Sequence, residues 1–148
     1  MRMIKGALLS LCFFVSIASA ATIPSQASGN YSAYCREEWT KRGVLDQNMF
    51  NYCMKIETEG YQNLTFLVQK YGNLPWIQKA IDSSVKNWTK KGSRQDNMVY
   101  FNLNQMIDGW EELKYQSSQP NFNKSKYQRC QQKWDFDYNM ILYCYKND

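Results

Sequence analysis

One short pattern occurs three times in this chain, and a pattern recurring at a near-constant step constrains architecture before any single residue is interpreted. Glu38-Trp39-Thr40-Lys41-Arg42-Gly43 is followed by Asn48-Met49, and Asn87-Trp88-Thr89-Lys90-Lys91-Gly92 by Asn97-Met98, with ten residues from Trp to Met in both. Near the C-terminus, Asp137 to Lys146 repeats the D-x-N-M-x-x-Y-C-x-K of Asp46 to Lys55, and Trp134 stands where Trp39 and Trp88 stand. Each copy reads as a short helix, a tight turn and a second helix, an αα-hairpin. The expected fold is therefore all-α: three consecutive αα-hairpin repeats stacked in one small domain, two of the hairpins each closed by a disulfide.

The units are placed at about 31–72, 75–116 and 124–146. In the first, a helix from Tyr31 to Arg42 stops at Gly43 as a left-handed cap, and Asp46 opens a helix reaching Tyr71 before Gly72. In the second, Pro75 opens a helix with Ile77, Ile81, Ser84, Val85 and Trp88 on one face. Its partner follows Ser93 or Asp96 and carries Val99, Leu103, Met106, Trp110 and Leu113 as an apolar stripe. Tyr115 to Asn123 reads as a linker, and the short third unit as a terminal cap. Lys41-Arg42 and Lys90-Lys91 are expected at helix ends, where cations complement the dipole.

Ahead of the repeats lies an export signal. Arg2 and Lys5 precede an apolar run from Gly6 to Ala18 that ends in Ala18-Ser19-Ala20, which reads as cleavage after Ala20. The apolar run is shorter than the ~20 residues a bilayer span needs. Cys12 follows Leu11 where a lipoprotein site would want a small residue. The expected division is thus 1–20 cleaved signal, 21–30 flexible N-terminal segment and 31–148 helical repeat domain, exported to the periplasm or secreted, with no stable membrane insertion after cleavage.

Of the chain's five cysteines, cleavage removes Cys12 and leaves four in an oxidising compartment, an even count that reads as two disulfides. Cys35 and Cys53 lie about equally far from their shared turn at ~1.5 Å per helical residue, so they face each other, as do Cys130 and Cys144. The expected pairs are Cys35–Cys53 and Cys130–Cys144. Trp39, Met49, Trp88, Met98, Trp134 and Met140, one turn nearer the loops, are expected to fill the repeat cores. The positions of unit two that align with cysteines hold Ser84 and Asn102, so the middle hairpin has no bridge.

The C-x3-W followed by D-x-N-M-x-x-Y-C pattern runs through Cys35 to Lys55 and Cys130 to Lys146, with a degenerate copy at Ser84 to Asn104. It resembles a motif of small exported bacterial proteins, C-x3-W…D-[YF]-x-M-x-x-Y-C. The resemblance implies an exported helical module and no substrate.

Composition narrows the function. The chain has no histidine, which removes Ser-His-Asp and Cys-His nucleophile systems and every His-ligated metal or haem site. No metal cluster, phosphate-cradling glycine loop or free thiol nucleophile is expected, hence no cofactor. The net charge of +5 is dispersed, with no basic stripe for nucleic acid. Glu37-Glu38 and Glu111-Glu112 are the candidate carboxylate pairs of a glycan hydrolase, but adjacent helical residues point about 100° apart. N-x-[ST] triplets stand at Asn30, Asn63, Asn87 and Asn123. Five Trp, eleven Tyr and abundant Asn and Gln suit polar, aromatic contacts. The leading expectation is a non-enzymatic protein-interaction module, an inhibitor, immunity or accessory protein whose partner is another protein of the envelope or extracellular space. A carrier of a small apolar ligand in a helical cavity comes second and a carboxylate-dependent glycan hydrolase third.

Overall fold

Short polar side chains set the starts of three helices. In the computed structural model, which describes residues 20–148, Asp46 accepts a hydrogen bond from Met49 N at 3.1 Å, Asp137 one from Met140 N at 3.1 Å, and Asn123 one from Lys126 N at 3.0 Å. The six helices of the described residues are α1 (Tyr31–Trp39), α2 (Gln47–Tyr71), α3 (Ile77–Asn87), α4 (Asp96–Ser117), α5 (Lys124–Trp134) and α6 (Tyr138–Asn147). They fall into successive pairs, α1 on α2, α3 on α4 and α5 on α6, while α2 packs on α4 and α4 on α6. The expected signal over residues 1–20 lies outside the described residues except for Ala20.

The turns inside the first two pairs differ from the expectation. The α1 helix stops at Trp39, and the next residues form an antiparallel pair of two-residue strands, β1 (Thr40–Lys41) and β2 (Val44–Leu45). In the second pair the same place holds β3 (Thr89–Lys90) and β4 (Ser93–Arg94). The fold is therefore mainly helical and not wholly so. Arg42 and Gly43 have φ of 52° and 78°, and Lys91 and Gly92 have 51° and 76°. Positive φ at both central residues makes these mirror-image hairpin turns, whose twist matches that of the strands. Gly43 is thus the second central residue of a β-turn, not a helix cap, and the basic pairs sit in hairpins rather than at helix ends. Thr40 Oγ1 and Thr89 Oγ1 each donate to the carbonyl four residues back at 2.6 Å, diverting the chain out of the helix at the same point.

Smaller corrections follow from local chemistry. Pro75 lies in the turn before α3, for which Trp76 is the N-cap. Gln95 stands at the α4 N-cap without a side-chain bond, where unit one has Asp46. α4 runs through Ser117, which shortens the linker.

Both disulfides are those expected, Cys35–Cys53 and Cys130–Cys144, each with Cα atoms 5.7 Å apart. In the middle pair, Asn102 Nδ2 donates to Ser84 Oγ at 2.9 Å. A hydrogen bond therefore ties the two positions that align with the cysteines.

The deepest aliphatic side chains are Leu64, Ile77, Ile81, Val99, Leu103, Ile107 and Ile141. Trp39, Met49, Trp88, Met98, Trp134 and Met140 are all half-buried, with Trp88 and Trp134 packed against the edge of this core. The physical reason is position: they occupy the turn end of each pair, whereas α2, α4 and α6 bury one another further along. Close approach there depends on two glycines. A Cβ on Gly60 would lie 2.4 Å from Asn97 N, and one on Gly109 would lie 2.5 Å from Tyr138 O. Each glycine is where the first residues of the following long helix meet the preceding one.

Segment 21–30, expected to be flexible, is tied down. It contains the 3-10 turn Gln26–Gly29, and its backbone bonds to Gly72, Gln78 and Arg94. Arg94 also anchors a buried ionic cluster. Its Nη2 donates to Asp96 Oδ2 at 2.8 Å and its Nε to Oδ1, while Tyr31 OH donates to Asp96 Oδ2. Arg94 is 4% exposed and Asp96 is fully buried. Nearby, Asn97 N–H donates to Glu57 Oε2 at 3.0 Å. Burial raises the pKa of the Tyr31 hydroxyl, and the Asp96 carboxylate raises it further. Burial likewise raises that of the Glu57 carboxyl against the lowering effect of the Asn97 N–H.

Candidate functional site

Helical periodicity assigns each long helix a buried side and an outward side, and the outward sides carry the feature that folding does not require. On α2 the buried positions are Cys53, Glu57, Gly60, Leu64 and Leu67, and Tyr52 and Phe66 point away from them. On α4 the buried positions include Val99, Leu103, Met106 and Leu113, with Phe101 and Tyr115 turned outward. On α6, Tyr138, Ile141 and Cys144 are buried and Tyr143 faces outward. Among the described residues, the large apolar side chains left exposed are Val44 and these five aromatics: Tyr52 56%, Phe66 63%, Phe101 53%, Tyr115 61% and Tyr143 63%.

Their places in the sequence pattern coincide. Tyr52, Phe101 and Tyr143 each stand three residues after Met49, Met98 and Met140, and Phe66 and Tyr115 are 49 residues apart, like Trp39 and Trp88. Some polar groups of the same helices are paired with each other. Lys55 meets Glu59 at 3.8 Å, Lys146 meets Glu112 at 3.7 Å, and Asn104 donates to Asp108 at 3.0 Å. The outward sides thus offer rings among amides and locally neutralised charges.

A second candidate lies at the corner of α4, α5 and the intervening loop. Trp110, Leu113, Phe122, Tyr127 and Tyr138 wall an open groove of about 470 Å³, with Lys114 and Lys124 also lining it and no acidic residue among its lining. The Lys114 ammonium lies 5.2 Å from the Trp110 ring centroid. Tyr138 has its hydroxyl pKa pushed up to about 12, chiefly by burial.

Three carboxylates of the two doublets have partners of their own. Glu37 is bonded to Lys91, Glu111 accepts from Tyr71 OH at 2.6 Å, and Glu112 accepts from Gln116 at 2.9 Å. Glu37 and Glu38 do line one hollow of about 280 Å³, together with Lys90 and Lys91. Cys130, Cys144 and Asp148 gather metal-ligating atom types, but both sulfurs are consumed by their bridge. All four sequon asparagines are exposed, and Asn123 uses its side-chain oxygen to cap α5.

Reading the sequence alone placed Tyr31 and Asp96 only as helix starts and missed the buried cluster that they form with Arg94 beside Glu57. The available signal was a departure from the repeat: Arg94 and Asp96 replace Leu45 and Gln47 of unit one, a cation and an anion arriving together. It also missed the outward aromatics, although their spacing was visible.

No protein-family model, no curated protein and no solved structure matches this chain. The two disulfides are characteristic of an oxidising compartment. No helix of the described residues is long and apolar enough to cross a membrane.

Proposed function

We propose that this chain is an exported, non-enzymatic protein-interaction module, an inhibitor, immunity or accessory protein, built from three copies of one helix pair. The observation that carries the reading is the recurrence of Tyr52, Phe101 and Tyr143 as exposed rings at corresponding positions. Folding explains a residue that recurs and is buried. A large aromatic that recurs and stays exposed has no such explanation, because its transfer from water is left unrealised. α2 packs on α4 and α4 on α6, which supports reading their outward sides as a series, as in repeat proteins that bind along a stack. Tyrosine and phenylalanine flanked by amides suit the centre of a protein interface. The partner is accordingly another protein of the envelope or extracellular space, and the dispersed charge gives no support to nucleic acid.

The test uses the mature, oxidised protein to capture partners from its own extracellular or periplasmic milieu, read by mass spectrometry. The combined variant Tyr52→Ser, Phe101→Ser and Tyr143→Ser is run in parallel, with both disulfides and the helical signal checked. Loss of a captured protein from the variant supports the reading. Equal capture by both forms, or capture by neither, counts against it.

One observation favours the second reading, a carrier of a small apolar ligand: the aromatic groove beside α5 has a volume in the range of small-molecule sites. Its test is native mass spectrometry of the protein from its own host. A bound small molecule that is lost on Leu113→Lys supports it, and a bare mass sinks it.

A further inference from the structure

The start of the described chain is anchored with a detail that neither the helix pairs nor the outward aromatics require. Ala21 N–H donates to Gly72 O at 2.9 Å, and Gly72 is the C-cap of the 25-residue helix α2. Thr22 is then held at both backbone groups by one side chain. Its N–H donates to Gln78 Oε1 at 2.8 Å, and its carbonyl accepts from Gln78 Nε2 at 3.2 Å. Ile23 packs against the core, and the Arg94 guanidinium donates to Ser25 O at 3.0 Å and to Ser28 Oγ at 3.1 Å. Ala20, one residue earlier, is exposed. Among the described residues, the first hydrogen-bonded nitrogen is that of Ala21, the residue that would come first if Ala18-Ser19-Ala20 were cut after Ala20. The nitrogen that cleavage there would free is the one that already donates to Gly72 O.

We propose that the Ala20–Ala21 bond is the processing site of this chain and that the amine it releases is a structural group, an ammonium seated on the carbonyl end of α2. Hydrolysis by an export signal peptidase adds water across the bond. Ala20 keeps the carboxylate, and the Ala21 nitrogen takes up a proton. Before cleavage Gly72 O receives a neutral amide N–H; afterwards it receives a cationic donor, and such bonds are roughly twice as strong as neutral ones. The unsatisfied carbonyls at a helix C-terminus carry a partial negative charge that favours a cation there. The surroundings do not oppose it, because Thr65, Val68, Gln69 and Asn73, which line this place with residues 20–23, are all uncharged. Ala21 is half-buried, so a peptidase reaches both sides of the bond before the segment docks. Cleavage thus comes first and docking second.

Intact-mass and N-terminal sequencing of the exported protein is expected to give Ala21 as the first residue. Three forms are then melted: the chain beginning at Ala21 with a free amine, the same chain acetylated at that amine, and a chain that retains Ala20. The acetylated and extended forms are expected to melt about 3 °C lower. In Gln78→Ala, which loosens Thr22, the gap between free and acetylated forms is expected to shrink, because the two contacts are coupled. A first residue other than Ala21, or identical melting of the free and acetylated forms, overturns the proposal.

Discussion

The outer and middle helix pairs solve the same problem with different chemistry. In the outer pairs, Cys35–Cys53 and Cys130–Cys144 join the helices covalently. In the middle pair, Ser84 and Asn102 occupy the corresponding places and share one hydrogen bond. A bridge acts mainly by restricting the unfolded chain, and loops of this size give about 3 kcal/mol, against about 1 kcal/mol for a hydrogen bond. The middle pair is compensated by its surroundings, since α4 packs on α3, α2 and α6, and the Arg94–Asp96 cluster ties its hairpin to Tyr31 and the N-terminal segment. An element with neighbours on both sides needs less internal fastening than one at an end.

The largest break in that comparison is expected from Asp96→Asn. It leaves the Arg94 guanidinium buried without its counter-charge, which costs about 3–5 kcal/mol in chemical denaturation. Removing either bridge as a double Cys→Ser variant is expected to cost about 3 kcal/mol, and the two losses are expected to add because the bridges lie in different pairs. Placing cysteines at both Ser84 and Asn102 sharpens the contrast. An oxidised third bridge is expected to gain about 2 kcal/mol, the loop term less the hydrogen bond it replaces. Ser84→Ala is expected to cost about 1 kcal/mol, measured by thermal melting.

The smallest effect is a pH slope. Burial gives Glu57 a folded-state pKa above that of the unfolded chain, so the folded form binds the proton more readily. This carboxyl therefore lowers stability as pH rises through the window that begins near its unfolded value, at about pH 4 to 5. Glu57→Gln is expected to flatten the decline in denaturation midpoint as pH rises from about 4. An unchanged slope would show that Glu57 does not titrate in that range.

Much of the framework was legible because it rests on spacing. Equal distances from a shared turn were enough to pair the cysteines, and Asp46 and Asp137 announced their helices by local hydrogen bonding. The turns were misread because Thr-Lys-Arg-Gly and Thr-Lys-Lys-Gly also suit the end of a helix. Nothing local shows that Arg42 and Lys91 take positive φ. The Arg94–Asp96 cluster is a tertiary fact: the partners Tyr31 and Ser28 lie more than 60 residues away in sequence. The motif tryptophans and methionines were visible as a repeat, but how deeply each sits depends on how the long helices lean together.

Gly60 and Gly109 have an implication for ancestry and for engineering. On the three-copy reading, each is a notch in a long helix that receives the first residues of the next. A spliced-in duplicate of the middle pair would meet familiar contours both before and behind it. The number of pairs is then something gene duplication can vary without inventing a new core, and a four-pair chain that folds would be its direct demonstration.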